Sequence, residues 1–245
     1  MSAPAQTLVA IATYNELGTL PSLVEEVFRA LPDAHILVVD DNSPDGTGRW
    51  CDQRAAEDPR LRCLHRSGKL GLGTALVKAM QHAVEHGYRY LVTMDADFSH
   101  PPERLADLLG GMGSPDRPAA DVMIGSRYTP GGRIEGWPWG RHMMSRAVNF
   151  LSRWVLGLSP KDCSSGYRCY RTDLLARLDF AAIHSFGYSF EEEVLWRLKR
   201  LGATFGEVPI AFVNRRQGTS KVNLRELLSS AWVLVRLAAG NLFRR

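Results

Sequence analysis

Four short apolar runs, each stopped by polar residues and separated by segments of helical periodicity, leave this chain few folds to adopt. The runs are Thr7 to Ala12, His35 to Val39, Tyr88 to Met94 and Asp121 to Ile124. Short, nearly continuous apolar runs suit strands that are covered on both faces. Between them, Leu20 to Leu31 carries Leu20, Leu23, Val24 and Val27 at helical spacing. Gly71 to His86 likewise gathers Ala75, Leu76, Ala79, Met80, Ala83 and Val84 on one face. A helix capped by Thr47 and running to about Ala56, a short strand over Leu61 to Leu64, and a helix over Pro102 to Leu109 complete the alternation. This pattern predicts an α/β fold with a mostly parallel central sheet and helices on both faces.

In such sheets ligands sit beyond the carboxyl ends of the strands. Three acidic segments fall there: Asn15-Glu16, Asp40-Asp41 and Asp95-Ala96-Asp97. The last ends the run Leu91-Val92-Thr93-Met94, with Pro101-Pro102 stopping the strand soon after. Strand side chains alternate, so residues i and i+2 point the same way and both acids can face one cation. Hard oxygen ligands suit Mg²⁺ or Mn²⁺, ions that also take substrate phosphates. An isolated Asp-x-Asp is often an ordinary turn; its place at a buried strand's end gives this one its weight.

Other segments carry two readings each. Asp41 can accept hydrogen bonds from a nucleotide, while Asn42-Ser43-Pro44-Asp45 reads as a helix-capping turn. Lys69-Leu70-Gly71-Leu72-Gly73 lacks the dinucleotide-binding spacing; Gly73 reads as a flexible helix start and Gly71 as a point where backbone can approach a ligand. Arg127 follows a strand and is expected to point toward the same crevice. Arg141, Ser145 and Asn149 form one polar stripe on a helix, either a phosphate site or a solvated face. Glu191-Glu192-Glu193 reads mostly as a solvated helix start, with one of its acids able to face the pocket, and His100 reads as a loop residue rather than a ligand. The basic loop Asn214 to Lys221 is able to close over a diphosphate or to be plain charged surface.

After Gly125 the pattern changes. Gly131-Gly132 makes a loop, and helices are expected over Trp139 to Leu156, Phe190 to Leu201 and Val222 to Phe243, with a strand over Thr204 to Val213. The 245 residues fit one large domain with a C-terminal helical elaboration. A net charge of +4 is compatible with an anionic substrate or membrane surface and too small to argue for nucleic acid. Cys51, Cys63, Cys163 and Cys169 show no metal-type spacing and read as buried thiols of a reducing compartment. No signal peptide and no transmembrane run is expected.

The segments Ala12-Thr13-Tyr14-Asn15-Glu16, Val38 to Thr47 and Met94 to Asp97 resemble family 2 glycosyltransferases of the GT-A fold, a single Rossmann-like domain. Ser164 to Arg171, Gly206 to Ile210 and Arg215 to Lys221 narrow the resemblance to polyprenol-phosphate (dolichol-phosphate) mannose synthases, over about Thr7 to Asn223. The resemblance implies transfer of mannose from GDP-mannose to a polyprenyl phosphate, with inversion at the sugar carbon. It implies that Ala12, Tyr14, Glu16, Val39 and Asp41 line the guanosine pocket, with Ala96 beside the nucleotide. Asp95 and Asp97 would engage metal and diphosphate, and Ser99 stands where relatives often carry a Gln ligand; Ala12 replaces a frequent Pro. Arg127, Arg215 and Lys221 would hold the donor, and Arg141 and Ser145 the lipid phosphate, so that Asp97, Arg127 and Arg141 carry the reaction. Residues 7–126 would then form a nucleotide-binding half, 127–223 an acceptor half, and 224–245 a helix that lies on the membrane or packs on the core. Peripheral attachment to the cytoplasmic face, with or without a membrane-anchoring partner protein, follows from the acceptor. Two alternatives stand beside this: a UDP-glucose-dependent polyprenyl-phosphate glucosyltransferase, and an inactive nucleotide-sugar-binding subunit.

Overall fold

The computed structural model describes residues 6–114, 117–185, 187 and 189–214. The first half alternates β1 (Thr7–Thr13), α1 (Leu20–Ala30), β2 (His35–Asp40), α2 (Thr47–Glu57), β3 (Leu61–His65), α3 (Leu72–Glu85) and β4 (Tyr90–Asp95). Helix α4 (Leu105–Gly111), the small pair β5 (Gly113–Ser114) and β6 (Arg117–Pro118), and β7 (Val122–Ser126) follow. The remainder is β8 (Arg133–Glu135), α5 (Trp139–Leu156), β9 (Arg168–Arg171), α6 (Thr172–Leu175), α7 (Phe190–Arg200), β10 (Phe205–Pro209) and β11 (Ala211–Val213).

The main sheet has the order β10-β7-β9-β4-β1-β2-β3. All its neighbours pair parallel except β9, which runs antiparallel to both β4 and β7. The alternation along β1 and β2 divides the core into two layers. Leu8, Ala10, Leu37 and Val39 pack with α3 and α7 on one face, and Val9, Ile11, Ile36 and Val38 pack with α1 and α4 on the other. The alanines at 75, 79 and 83 let α3 lie close on the sheet, and Pro21 sits in the first turn of α1, where a missing N–H costs nothing.

Several expectations change. The strand expected over Thr204 to Val213 is two strands in different sheets: β10 ends at Pro209, whose nitrogen cannot donate, Ile210 turns into the core, and β11 pairs instead with β8. Gly46, at φ 97°, holds the cap position of α2, so Thr47 is not the cap. Gly73 is no flexible start: a Cβ there would meet Phe190 Cδ2 at 2.9 Å and the Ser185 carbonyl oxygen at 3.0 Å. The glycine lets α3 pack against α7. Of the four cysteines Cys63 is only half-buried; His65 beside it bonds through Nε2 to Asp52 Oδ1 at 2.8 Å. The helix expected over Val222 to Phe243 lies outside the described residues.

Candidate active site

The parallel pairing of β1 with β2 and β4 brings their carboxyl ends to one edge, in the register Ala12 opposite both Val39 and Asp95, and Thr13 opposite Asp40. The three acidic segments singled out in the sequence therefore share one rim. Each of the loops that follow contains a non-glycine residue in the left-handed region: Asn15 at φ 63°, Asn42 at φ 57° and Phe98 at φ 62°. They are the only such residues among those described. Backbone held in this region must be fixed by its surroundings, and such strain concentrates at functional sites.

Side chains between Asp40 and Thr47 fix the first two of these loops. The backbone N–H groups of Asn15, Glu16 and Leu17 donate in turn to Ser43 Oγ, Thr47 Oγ1 and Asp45 Oδ2, at 3.0 to 3.1 Å. Ser43 is held by Asp40, which also accepts from Thr13 Oγ1 at 3.0 Å. Asn42 to Asp45 is thus more than a helix cap, because it sets the course of the neighbouring loop. Asp41 is buried, 2.8 Å from Arg66 Nη1, and accepts from Leu70 N–H at 3.1 Å. That ties the rim to the loop before Gly71, whose φ of 97° and ψ of 149° require glycine. Tyr14 is exposed, with Lys69 Nζ 4.2 Å from its ring centre. Glu16 and Ala12 are half-buried, whereas Val39 lies wholly within the core beneath them.

Strand β4 ends at Asp95, so strand alternation does not carry through to Asp97 as expected. Asp97 instead caps a tight turn, its Oδ1 accepting from Ser99 N–H at 3.0 Å. Both acids are half-buried and Ala96 between them is buried. His100, buried and not a surface loop residue, accepts the Asp95 N–H on Nδ1 at 2.9 Å and stacks on Tyr167 at 5.0 Å. Burial lowers its pKa, against the opposing pull of Asp95 and Asp97, so a neutral ring fits this acceptor role. The Ser99 hydroxyl is buried without a hydrogen-bond partner among the described residues. Two carboxylates and an unsatisfied hydroxyl are a hard-oxygen donor set, which fits Mg²⁺ or Mn²⁺. Asp97 also lines a groove of about 390 Å³ with Pro101, Glu103, Arg133, Ala211 and Asn214.

The far side of the crevice departs furthest from expectation. Arg127 does not reach into open space. Its backbone N–H and Nε donate to Asp162 Oδ2 at 2.9 and 2.7 Å, and Nη2 donates to Asp162 Oδ1 at 2.6 Å and Ser164 Oγ at 2.8 Å. Asn149, one of the polar stripe, is buried: it donates to Ser164 Oγ at 3.1 Å and accepts from Cys163 N–H at 2.6 Å. Ser145 is half-buried one turn earlier, its carbonyl taken by Asn149. Arg141 lies 4.0 Å over the Trp137 ring and donates to Asn214 Oδ1 at 3.3 Å. The stripe is therefore not a solvated face.

Glu191, Glu192 and Glu193 are likewise all buried rather than solvated. Glu191 lies 2.8 Å from Arg168 Nη1, and Glu193 accepts from Ser185 and Arg197. Burial raises the Glu192 carboxyl to about 8. Sequence reasoning missed Asp162, Arg66 and Arg168. Each is a charge whose partner comes from a distant segment, so no local spacing marks it. Arg215 and Lys221 lie outside the described residues.

The model of the family "Glycosyl transferase family 2" matches residues 8–179 of the chain. The chain belongs to this family. It is a glycosyltransferase with the GT-A fold. It is 45% identical over 227 residues to a polyprenol monophosphomannose synthase of Mycolicibacterium smegmatis, covering 91% of this chain and 84% of that protein. It is 46% identical over 218 residues to an undecaprenyl-phosphate mannosyltransferase of Micrococcus luteus, covering 89% and 88%. Solved structures share the fold. Glucosyl-3-phosphoglycerate synthase of Mycobacterium tuberculosis with Mn²⁺ and UDP gives a TM-score of 0.63 at 20% identity, over 95% of this chain and 78% of that one. A Pyrobaculum calidifontis mannosyltransferase with GDP-Man and Mn²⁺ gives 0.57 at 15% identity, over 98% and 74%.

Proposed function

We propose that this glycosyltransferase moves mannose from GDP-mannose to a polyprenyl phosphate, giving polyprenyl-phosphate mannose and GDP with inversion. The observation that carries the reading is the pair of relatives, each nearly half identical across about nine-tenths of the chain and each named for mannosyl transfer to a polyprenyl-type acceptor. The acid-lined rim supports it, as does the GDP-Man complex of a protein with the same fold.

The acceptor's phosphate is largely dianionic near neutrality, its second pKa being about 6. Its oxygen can form the bond to the sugar carbon without a protein base, while the bond to the diphosphate breaks and its electron pair leaves with GDP. In this reading Tyr14, Glu16, Ala12, Asp41 and Ala96 border the guanosine, with Val39 beneath. Asp95 and Asp97 hold Mg²⁺ or Mn²⁺ with the Ser99 hydroxyl at hand. Such an ion, when bound, neutralises charge on the departing diphosphate. Arg141 and Ser145 receive the lipid phosphate, and Arg215 and Lys221 the donor. Arg127 acts as a positioning residue through Asp162 and Ser164. Residues 7–126 serve the nucleotide and 127–223 the acceptor, on the cytoplasmic face of a membrane.

The test offers radiolabelled GDP-mannose, UDP-glucose and UDP-galactose to the enzyme with a short polyprenyl phosphate, with and without EDTA. Metal-dependent lipid product from GDP-mannose alone is expected. Product from UDP-glucose alone would move the assignment to a glucosyltransferase, and binding without turnover of any donor would favour an inactive subunit.

A further inference from the structure

A cluster of metal-type side chains lies outside the acid-lined rim, where α2 packs on β3, the edge strand of the main sheet. Cys63 and His65 stand two apart on β3, so their side chains leave the same face. Cys51 and Asp52 come from α2 opposite them. Asp52, Cys63 and His65 each offer one ligand atom, and these three atoms lie within 4.8 Å of one another. Among the described residues no other group of three or more histidine, cysteine or acidic side chains gathers in this way.

The arrangement inside the cluster is close to that of a bound zinc ion. Asp52 Oδ1 meets Nε2 of His65 at 2.8 Å, which leaves Nδ1 turned to the Cys63 sulfur at 4.0 Å. Tetrahedral zinc, with bonds of about 2.3 Å to sulfur and about 2.0 Å to nitrogen, would set these two atoms roughly 3.6 Å apart. A carboxylate on the far nitrogen is also the usual partner that orients a metal-bound imidazole. Cys51 brings the second sulfur. It is wholly buried beside Cys63, and a hydrogen bond between the two thiols, with burial adding to it, raises its pKa. Gly48 makes the room: a Cβ there would sit 3.0 Å from Cε1 and 3.2 Å from Nδ1 of His65. The His65 and Asp52 side chains are 49% and 59% exposed, so an ion can enter from solvent.

We propose that Cys51, Cys63 and His65 Nδ1 bind one zinc-class divalent ion, with Asp52 orienting the ring and water from the open side completing the tetrahedron. Two soft sulfurs and an imidazole select Zn²⁺, whereas the carboxylates of the rim suit Mg²⁺ or Mn²⁺. Binding replaces each thiol's S–H bond by a metal–sulfur bond and releases the proton to solvent. The loaded site pins α2 to the sheet edge beside Asp40. That carboxylate's Oδ2 lies 3.0 Å from the same point above Gly48, and it holds Ser43 of the rim. The site does not depend on which sugar or acceptor the enzyme uses.

The test uses the full chain with its thiols reduced and Mg²⁺ in excess, and Co²⁺ as a coloured stand-in for zinc. One equivalent of Co²⁺ is expected to give thiolate-to-cobalt charge-transfer absorption, which Zn²⁺ then displaces. Zn²⁺ is also expected to raise the melting temperature. Cys63→Ser and His65→Ala, both at partly open positions, are each expected to weaken Zn²⁺ binding at least about tenfold in competition with a chromophoric chelator, and to remove the melting shift. Asp52→Asn is expected to weaken binding by roughly tenfold while the absorption remains. Asp95→Ala with Asp97→Ala is expected to leave the absorption as in wild type, which separates this ion from one held at the rim. A wild-type protein without the charge-transfer band would overturn the proposal. So would a band that survives Cys63→Ser combined with His65→Ala, or one that disappears with the rim acids. If zinc binds here and no sugar is transferred, the functional reading fails and this site stands.

Discussion

Arg127 and Asp162, 35 residues apart in sequence, close on each other through three hydrogen bonds of 2.6 to 2.9 Å, with the guanidinium bordered by Trp137 and Phe212. The pair joins the end of β7 to the loop that precedes β9, and through Ser164 it reaches Asn149 of α5. This side of the crevice is therefore built around a buried ion pair.

Removing one partner should be costly. Asp162→Ala leaves a buried guanidinium without its counter-charge and is expected to lose about 3–5 kcal/mol of stability, measured by chemical denaturation. Burial alone would raise the Asp162 carboxyl, and Arg127 more than reverses this, so its pKa is lowered. That contribution is present above the unfolded carboxylate's pKa of about 4 and is lost as pH falls through the lower folded value. The acid limb of the stability profile should flatten in the variant.

Gly73→Ala tests the packing of α3 on α7. Its new Cβ would lie 2.9 Å from the Phe190 ring and 3.0 Å from a backbone oxygen, so either the ring or the helix must shift. A loss of about 1–3 kcal/mol is expected, read as a lower denaturation midpoint with unchanged slope. An unaltered midpoint would return Gly73 to the flexible helix start that its sequence suggested.

What the sequence made legible follows from the range of the interactions. Apolar runs and helical spacing are local, so the strands and helices through Ile124, the small β5–β6 pair apart, and the shared rim of Glu16, Asp41 and Asp95 could be read directly. Strand β9 was recognised only as a motif, because its pairing with β4 and β7 is a property of the sheet. Arg127 gave no sign of Asp162, and Glu191 gave none of Arg168, since side chains that neutralise each other across tens of residues leave no periodic trace. That α5 turns Asn149, Ser152 and Leu156 inward was hidden for a related reason. Its amphipathic pattern was plain, but only the packed structure tells which side faces the core.

At the acid pair, Asp97→Ala is expected to abolish turnover, a fall of at least about a hundredfold in kcat/KM with saturating Mn²⁺ or Mg²⁺. Loss of the Ser99 turn contact should change stability far less. Normal turnover in metal-replete assays would sink the metal assignment.

For Arg141, the 4.0 Å approach to Trp137 suggests a flat guanidinium held ready by stacking. Arg141→Ala is expected to raise the KM for the lipid phosphate or lower kcat by roughly tenfold or more, with the donor KM little changed. Arg141→Lys should recover only part of this, because an ammonium cannot stack or offer two parallel donors. Kinetics equal to wild type in both variants would leave Arg141 with a packing role.

Glu192 gives the protein a basic limit of its own. The side chain is 2% exposed in the first turn of α7, one carboxyl oxygen lacks a hydrogen-bond partner among the described residues, and burial raises its pKa to about 8. The folded protein thus keeps a proton that the unfolded chain releases near pH 4.3, the ordinary value being about 4.3. Folded chains bind more protons across that interval, so the stabilising contribution is whole at low pH and is lost progressively as pH rises through the folded value, at up to about 1.4 kcal/mol per pH unit. Glu192→Gln holds the neutral form permanently and should flatten stability between about pH 4.3 and 8, leaving the variant more stable than wild type at pH 8 and above. Denaturation midpoints measured across this range check it; parallel profiles for the two proteins would show that the carboxyl is already ionised at neutral pH.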